Sequence, residues 1–244
     1  MHMISKKELS RLNLEQQELA KRVEVCSLSA NPRYIGGMDV SYWEAGGQEF
    51  GVACLVVYDI LENKVVHKLN ALKTIEFPYK TGYLSYREYE IEALALSSSK
   101  HKIDVLMVDG SGLLHPRKAG AAVKLGVEFN IPAIGVIKSR PNCTEFKYVI
   151  RQTCNPACDD IYYNGELLGK VVYTKEGRKP LYVSVGNKIS LDEAVNIVFK
   201  TTKDENYLPL PLRLADIQTH LVRDRYVRTF KEQERKYDPS VLCS

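Results

Sequence analysis

Apolar, β-branched and aromatic residues are concentrated in three successive runs near the start of the chain, which predicts β-strands. Short turns separate these runs, so we expect the strands to pair as an antiparallel meander. Two later runs are short and continuously apolar, as expected for strands buried on both faces of a sheet. A further strand follows a long polar stretch. The predicted strands cover residues 34–42, 50–58, 64–73, 104–108, 132–137 and 180–185.

The segments between these runs predict α-helices, because their apolar residues recur at helical spacing or because they are rich in Ala, Leu and Glu. Ser5 is the predicted N-cap of the first helix, and Glu8, three residues later, completes a capping box. Ser190 and Glu193 repeat this arrangement before a later helix. The predicted helices cover residues 5–25, 85–98, 117–129, 190–201 and 213–226.

The order of these elements indicates a mixed α/β fold. Three antiparallel strands followed by alternating helices and parallel strands predict one mixed sheet flanked by helices, which is the ribonuclease H-like architecture. No internal repeat or long linker divides the sequence, so we expect a single domain over residues 1–244 whose charged tail, 229–244, frays. Residues 139–180 are irregular and polar, with hairpin-like turns around Asn164-Gly165 and Gly177.

Three acidic residues are each predicted to stand where a strand would end. They are Asp39, Glu88 and Asp109. Carboxylates at strand ends can converge on one edge of a sheet, and their hard oxygen atoms suit Mg²⁺. Such a cluster beside basic residues indicates metal-assisted cleavage of a phosphodiester. Each residue also has an ordinary structural explanation, namely a turn for the two aspartates and the helix dipole for Glu88.

The distribution of charged residues along the chain supports a polyanionic partner more strongly than the net charge of the whole chain does. The whole chain carries a net charge of only +4. Residues 115–151, however, hold seven Lys or Arg and two acidic residues, a local net charge of +5. Positive charge beside an acidic metal site would suit a phosphate backbone, although a solvated helix face explains the same pattern.

The sequence gives no indication of a membrane or secreted protein. No apolar run approaches the ~20 residues that span a bilayer, and the N-terminus lacks the apolar core of a signal peptide. The six cysteines are scattered, so we expect an intracellular, cytoplasmic protein, or a nuclear one if its source is eukaryotic. Cys154 and Cys158 form a C-x₃-C pair for which free thiols are the default, with a zinc site or a local disulfide as alternatives.

Five short segments are more specific than composition or element order. Residues 78–88 read PYKTGYLSYRE, and residues 108–117 read VDGSGLLHPR, followed by Gly120 and Leu125-Gly126. Residues 132–138 read PAIGVIK, residues 181–191 read LYVSVGNKISL, and residues 211–216 read PLRLAD. In this order they resemble the P-Y-I-P-G-x-L-x-F-R-E, V-D-G-x-G-x-x-H-P-R…G…L-G, P-x-I-G-V-A-K, L-Y-V-S-x-G-H-x-I-S-L and P-x-R-x-A-D segments of the endonuclease V family.

This resemblance implies a ribonuclease H-like fold and a dependence on Mg²⁺, with Mn²⁺ as a substitute. It implies recognition of inosine and hydrolysis of the second phosphodiester on its 3′ side, leaving a 3′-OH and a 5′-phosphate, in DNA repair or in the processing of inosine-containing RNA. Some members of the family prefer deoxyinosine in DNA and others inosine in RNA, and the sequence leaves this choice open. We expect a monomer whose partner is inosine-containing DNA or RNA.

The resemblance also implies roles for particular residues. The metal ligands would be Asp39, Glu88, Asp109 and Asp216. His115 and Lys138 would contact the scissile phosphate or help to place the attacking water. Tyr79 would belong to a wedge that separates strands and fills the gap left by a flipped base. The other candidate contacts to the base or strand are Gly82, Gly110, Gly112 and Arg117.

The chain departs from the family pattern at several positions. Lys80-Thr81 replaces Ile-Pro, which makes the wedge more polar and less rigid and leaves the base preference open. Ser139 follows Lys138 where Lys is frequent, Asn187 stands where His is common, and Leu210 replaces the Glu of a frequent P-E-P. None of these changes removes a metal carboxylate, so we expect activity to be retained.

Two other functions remain as alternatives. The first is a structure-specific nuclease of the same fold class, which the altered wedge would suit. The second is a non-catalytic module that binds nucleic acid and does not cleave it. An acyl hydrolase is disfavoured, because Ser111 lacks the G-x-S-x-G frame of a nucleophile elbow.

Overall fold

A mixed sheet forms the centre of the computed structural model, which describes residues 4–141, 146–203 and 206–236. The strands are β1 (Tyr34–Ala45), β2 (Gln48–Asp59), β3 (Lys64–Thr74), β4 (Val105–Asp109), β5 (Ala133–Ile137), β6 (Val149–Arg151), β7 (Cys158–Tyr163), β8 (Glu166–Val172) and β9 (Leu181–Asn187). Within the described residues these nine strands lie in the order β3-β2-β1-β4-β5-β9-β8-β7-β6. As predicted, β1 to β3 form an antiparallel meander, and β4 and β5 run parallel to β1.

The strand β9 runs antiparallel to β5, whereas the sequence pattern predicted a further parallel strand. The cause lies in residues 139–180, which contain three strands that the pattern did not show. After β5 the chain crosses to the far edge of the sheet and returns through β6, β7 and β8 as an antiparallel meander. The predicted hairpin turn joins β7 to β8, where Asn164 and Gly165 both have positive φ (51° and 82°), as this tight turn requires.

The helices lie close to the predicted positions. They are α1 (Lys6–Lys21), α2 (Leu84–Ser98), α3 (Ala121–Glu128), α4 (Leu191–Thr201) and α5 (Leu210–Lys236). The Ser5 side chain accepts a hydrogen bond from the Glu8 N–H, and Ser190 and Glu193 form the complete predicted capping box. The helix α3 begins later than predicted because residues 115–118 form a turn, closed by a hydrogen bond from the Lys118 N–H to the His115 carbonyl oxygen, in which Lys118 has a φ of +52°.

The last helix is longer at both ends than the sequence indicated. It begins at Leu210 because Pro211 falls in its first turn, where a missing N–H breaks no intrahelical bond. It continues to Lys236, so residues 229–236 of the tail that was expected to fray are helical. Residues 237–244 lie outside the described residues.

Helices cover both faces of the sheet. Apolar side chains of α2 and α3 pack on one face of the β1–β4 region, and those of α4 and the start of α5 pack on the other. The start of α5 approaches β1 very closely at Gly37, where a Cβ atom would lie 2.3 Å from the carbonyl carbon of Pro211. This approach, which only glycine permits, places the first turns of α5 over β1.

Candidate metal centre and adjoining cavity

Three aspartates from distant parts of the chain meet beside β1. Met38 pairs with Val108, so Asp39 and Asp109 are the next residues along two neighbouring parallel strands. Asp216 reaches them from α5, and one carboxylate oxygen from each of the three residues lies within 4.8 Å of the others. Carboxylate oxygens are the ligands that hard divalent cations prefer, so this donor set fits such an ion.

A lysine lies between two of these carboxylates. Lys138 directly follows β5, and its Nζ is 2.6 Å from Oδ2 of Asp109 and 2.8 Å from Oδ1 of Asp216. Thr219, one turn after Asp216, donates a hydrogen bond of 2.9 Å to Oδ2 of Asp39. The ammonium and the hydroxyl therefore offset part of the repulsion among the aspartates.

The remaining repulsion is visible in the acid–base properties of the cluster. Burial, and then the negative charge of Asp109, raise the pKa of Asp39 to about 8. Burial alone would lower the pKa of Lys138, but the charge and hydrogen bond of Asp109 and the hydrogen bond of Asp216 outweigh burial and raise that pKa. A buried carboxyl with a raised pKa next to other carboxylates is typical of a functional site that binds a cation.

The fourth predicted ligand, Glu88, approaches from the opposite face of the sheet. It lies in α2, just after the first turn of the helix, is buried, and accepts a hydrogen bond of 2.5 Å from the Tyr42 hydroxyl at Oε1. Burial and the charge of Glu92 raise the pKa of Glu88 well above its usual value, and the charges of Asp39 and Asp109 add to this effect. Glu88 is thus electrostatically part of the cluster, although it lies outside the set of three aspartates described above.

A cavity of about 390 Å³ adjoins the aspartate cluster at Asp109. Asp109 and Lys138 contribute to its lining, together with Gly110, His115 and residues 79–82. The side chain of Tyr79 is 69% exposed, which leaves its ring free to stack on a base. A phosphate held near Lys138 would therefore place a neighbouring nucleotide within reach of this cavity.

The loop that carries Tyr79 is held at Gly82. The carbonyl oxygen of Gly82 accepts hydrogen bonds from Gln16 Nε2 at 3.0 Å and from Arg117 Nη2 at 2.8 Å, and His115 Nε2 lies 3.1 Å away. Gly82 has a φ of +79°, a conformation that glycine adopts without strain. Arg117 and His115 thus position the loop, and they touch it from the segment that follows β4.

His115 is a neutral imidazole in this arrangement. Its Nδ1 faces the backbone N–H groups of Arg117 and Ala119 at 3.2 and 3.4 Å, so it accepts from them and leaves Nε2 to donate to Gly82. Burial and the charge of Arg117 lower the pKa of His115 to about 4, which agrees with the neutral form.

The two glycines after Asp109 have different surroundings. Gly110 lines the cavity, and a Cβ atom there would lie 3.0 Å from the Ala121 methyl group. Gly112 instead packs against β9, where a Cβ atom would lie 2.1 Å from the Val185 carbonyl oxygen, and its N–H donates to Ser184 Oγ. The predicted base contact therefore has structural support at Gly110, whereas the surroundings of Gly112 point to packing.

We expect Gly112→Ala to destabilise the protein by about 1–3 kcal/mol or more, because overpacking against a rigid backbone forces a local shift. Gly110→Ala serves as the control and should cost less, since the nearest atom it meets belongs to a side chain. Urea unfolding of both variants measures the difference. Equal stabilities would contradict the packing role of Gly112.

Sequence reasoning missed several residues that lie beside the motif residues of the site. Gln16 lies in α1 far from every motif and shows no signal of its own. Thr219 follows Asp216 by three residues, the spacing that places both on one helix face, and Glu92 follows Glu88 by four. Helical spacing from the motif residues is therefore the signal that could have found these two.

Comparison with known proteins identifies the family. The sequence model of the family described as Endonuclease V matches residues 17–217. The chain belongs to the endonuclease V family. It is 32% identical to endonuclease V of Bacillus thuringiensis over 222 residues, which cover 90% of this chain and 94% of the relative. It is 35% identical to endonuclease V of Dictyoglomus turgidum over 219 residues, or 90% and 91% of the two chains.

Solved structures of endonuclease V family members agree with this assignment. The Bacillus subtilis endonuclease V structure aligns with a TM-score of 0.83 at 30% identity, covering 93% of this chain and 97% of that one. The Ciona intestinalis endonuclease V, solved with a DNA that contains an inosine followed by a ribo-adenosine, aligns with a TM-score of 0.79 at 30% identity. That alignment covers 91% of this chain and all of the other. The predicted ribonuclease H-like fold and the predicted class, a hydrolytic endonuclease, are thereby confirmed.

Two smaller expectations for this endonuclease V family member concern its cysteines and its helices. Among the described cysteines, Cys26, Cys54, Cys154 and Cys158 are free thiols, so the C-x₃-C pair forms no disulfide. None of the helices in the described residues has both the length and the hydrophobicity of a transmembrane helix.

Proposed function

We propose that this protein is a divalent-metal-dependent endonuclease that recognises inosine in nucleic acid and hydrolyses the second phosphodiester on its 3′ side, leaving a 3′-OH and a 5′-phosphate. The observation that carries the proposal is the convergence of Asp39, Asp109 and Asp216 next to a cavity of nucleotide size. Membership of the endonuclease V family supports it. The inosine-containing DNA bound by the Ciona intestinalis relative supports the choice of base.

Mg²⁺ is the metal we propose, with Mn²⁺ as a substitute, because the donor atoms are carboxylate oxygens. Asp39, Asp109 and Asp216 would hold the ion, and Glu88 would complete the site from α2. When bound, such an ion lowers the pKa of a water molecule and neutralises charge that develops on a phosphate. The raised pKa of Asp39 supports this assignment, because a bound cation relieves the repulsion that raises it.

Lys138 supplies the fixed positive charge beside the scissile phosphate. Its Nζ is already oriented by Asp109 and Asp216, so little side-chain entropy is lost when it contacts a non-bridging oxygen. His115 is proposed to act mainly through Gly82, which it holds with a neutral ring. A neutral His115 cannot contribute a positive charge to phosphate binding near pH 7.

The cavity is the proposed site of the flipped base. A base that is read by its edge must leave the stack, and an aromatic side chain can fill the gap. Tyr79 is exposed at the rim of this cavity, and Gly82 and Gly110 allow the backbone to approach the base closely. Lys80 and Thr81 at the same rim make this wedge more polar than an Ile-Pro pair would.

We expect Tyr79→Ala to reduce cleavage at inosine in duplex DNA about tenfold or more, because base–aromatic stacking is worth about 1–3 kcal/mol. Tyr79→Phe keeps the ring and should retain most of the activity. Tyr173→Ala is the matched control, since Tyr173 is also exposed and does not line the cavity. Single-turnover cleavage of single-stranded and duplex substrates measures the effect, and an equal loss with both Ala variants would argue against the wedge.

A panel of labelled substrates tests the proposed function itself. Each substrate in the panel carries one inosine, one uracil, one mismatch or one branch, and the strands are otherwise identical. All substrates are incubated with the protein and Mg²⁺. We expect cleavage of the inosine strands alone. Cleavage of the branched substrate instead would support a structure-specific nuclease, and binding without cleavage in either Mg²⁺ or Mn²⁺ would support a non-catalytic module.

We further propose that the protein acts inside the cell as a monomer. The exposed thiols of Cys26 and Cys154 suit a reducing compartment. Gel filtration coupled to light scattering tests the oligomeric state, and a dimer mass at micromolar concentration would contradict it.

A further inference from the structure

Glu92 is a buried acid that the proposed function leaves unexplained. It lies in α2 one turn after Glu88, and its relative exposure is 1%. Four residues apart on a helix is the spacing that puts two side chains on the same face. Glu92 therefore projects from α2 on the side from which Glu88 approaches the aspartates.

One oxygen of this carboxyl group is left without a partner. Within the described residues, Oε2 of Glu92 is buried and makes no hydrogen bond. The nearby hydroxyl of Tyr42 is already committed, because it donates to Glu88. Burying a carboxyl oxygen without a hydrogen bond is unfavourable, so its retention calls for a ligand that this oxygen can bind.

The surroundings indicate the sign of that ligand's charge. Asp39 and Asp109 lie near enough to Glu92 for their negative charges to act on it. Glu92 is in turn the neighbour whose charge acts most strongly on Glu88. Glu92 therefore adds a further acidic side chain to the negative charges of Glu88, Asp39 and Asp109, for which a cation is the complementary ligand.

We propose that Glu92 is an additional carboxylate of the metal centre, and that it binds a hard divalent cation together with Glu88 on the α2 side of Asp39 and Asp109. This inference rests on the metal centre of the proposed function and assigns to it a residue that lies outside the motifs. It accounts for a buried acid in a helix at a position where an apolar side chain would otherwise pack. It also explains why one of its oxygens remains unpaired in the protein alone.

The test compares metal binding with stability in two variants of Glu92. Glu92→Gln keeps the shape and removes the charge, and Glu92→Leu fills the space with an apolar side chain. Glu90→Gln is the matched control, because Glu90 lies on the same helix, is exposed and pairs with Lys73. Mn²⁺ affinity is measured by calorimetry and by electron paramagnetic resonance, and thermal unfolding is measured with and without Mn²⁺.

We expect both Glu92 variants to bind Mn²⁺ about 10–100-fold more weakly than the parent, the range typical of residues that support a metal site. Their melting temperatures without metal should rise, while the stabilisation by Mn²⁺ should shrink. Unchanged Mn²⁺ affinity in Glu92→Gln would overturn the inference and make Glu92 a core acid only. Should Glu92→Leu fail to fold, Glu92→Gln decides alone.

Metal binding is measured without substrate, so failure of this inference and failure of the proposed function are distinguishable. A parent protein that binds Mn²⁺ through Glu92 but does not cut inosine strands would support the inference and contradict the proposed substrate. A parent protein that binds no Mn²⁺ would overturn both.

Discussion

Asp109→Asn is expected to reduce metal-dependent cleavage at inosine by more than about a hundredfold, since even residues that only support a metal ligand are worth about 10–100-fold. Asp109 is the central carboxylate of the cluster: it shares the metal-binding region with Asp39 and Asp216 and contacts Nζ of Lys138. Asparagine keeps the shape of the side chain but removes the charge that a divalent cation requires. Single-turnover cleavage at saturating enzyme measures the loss.

The same substitution should not destabilise the metal-free protein. Removing one negative charge from beside Asp39 relieves repulsion, so the free energy of unfolding should stay the same or rise. Asp159→Asn is the matched control, because Asp159 lies on β7, outside the site, and accepts a hydrogen bond from Tyr173. Retained cleavage in Asp109→Asn, or an equal loss in Asp159→Asn, would contradict the proposed metal centre.

The free energy of unfolding of the metal-free protein is expected to fall as the pH rises from about 5 to about 8. The pKa values of Asp39 and Glu92 are both raised to about 8, whereas their values in an unfolded chain are about 4. Between these limits the folded protein holds protons that the unfolded chain has released, so raising the pH favours unfolding. Each such group lowers the free energy of unfolding by about 1.4 kcal/mol per pH unit over the range in which it is protonated in the folded protein and ionised in the unfolded chain.

Urea unfolding at a series of pH values in the presence of EDTA measures this slope. We expect the free energy of unfolding to depend less steeply on pH in Asp39→Asn and in Glu92→Gln. Each variant removes one of the groups that hold a proton in the folded protein. Excess Mg²⁺ should stabilise the protein most at high pH, where the carboxylates bind the cation without first releasing protons. A stability that is constant or increases over this pH range without metal would show that the carboxylates are not mutually destabilising.

The positions of Asp39 and Asp109 could be predicted from the sequence because each depends on local pattern. Asp109 ends β4 as predicted, whereas Asp39 lies inside β1 and not at a strand end, because β1 continues its pairing with β2 beyond it. The parallel pairing of β1 with β4 stops at Met38 and Val108, and this places the two aspartates side by side. Asp216 and Lys138 needed the resemblance to a family, since nothing local in a helix or after a strand distinguishes a ligand from a surface residue. Their contact with each other depends on how closely α5 lies on β1, which Gly37 permits.

Other features depend on tertiary structure. The direction of β9 follows from the excursion of the chain to the far edge of the sheet, and three short strands in a polar stretch do not show that excursion. Helical spacing places Glu92, but not Glu90, on the same face as Glu88, yet the burial of Glu92 is visible only in the structure. Gly112 stands in a motif with Gly110, yet the two meet different neighbours. Shared motif membership therefore did not imply a shared role.

Mapping the cut in a labelled strand that carries a single inosine, in DNA and in RNA, with Mg²⁺ and with EDTA, tests the proposed endonuclease activity. We expect a Mg²⁺-dependent cut at the second phosphodiester on the 3′ side of inosine in at least one of the two strands, with no cut when guanosine replaces inosine. A cut at another position, a cut that does not depend on inosine, or equal cleavage in EDTA would contradict it.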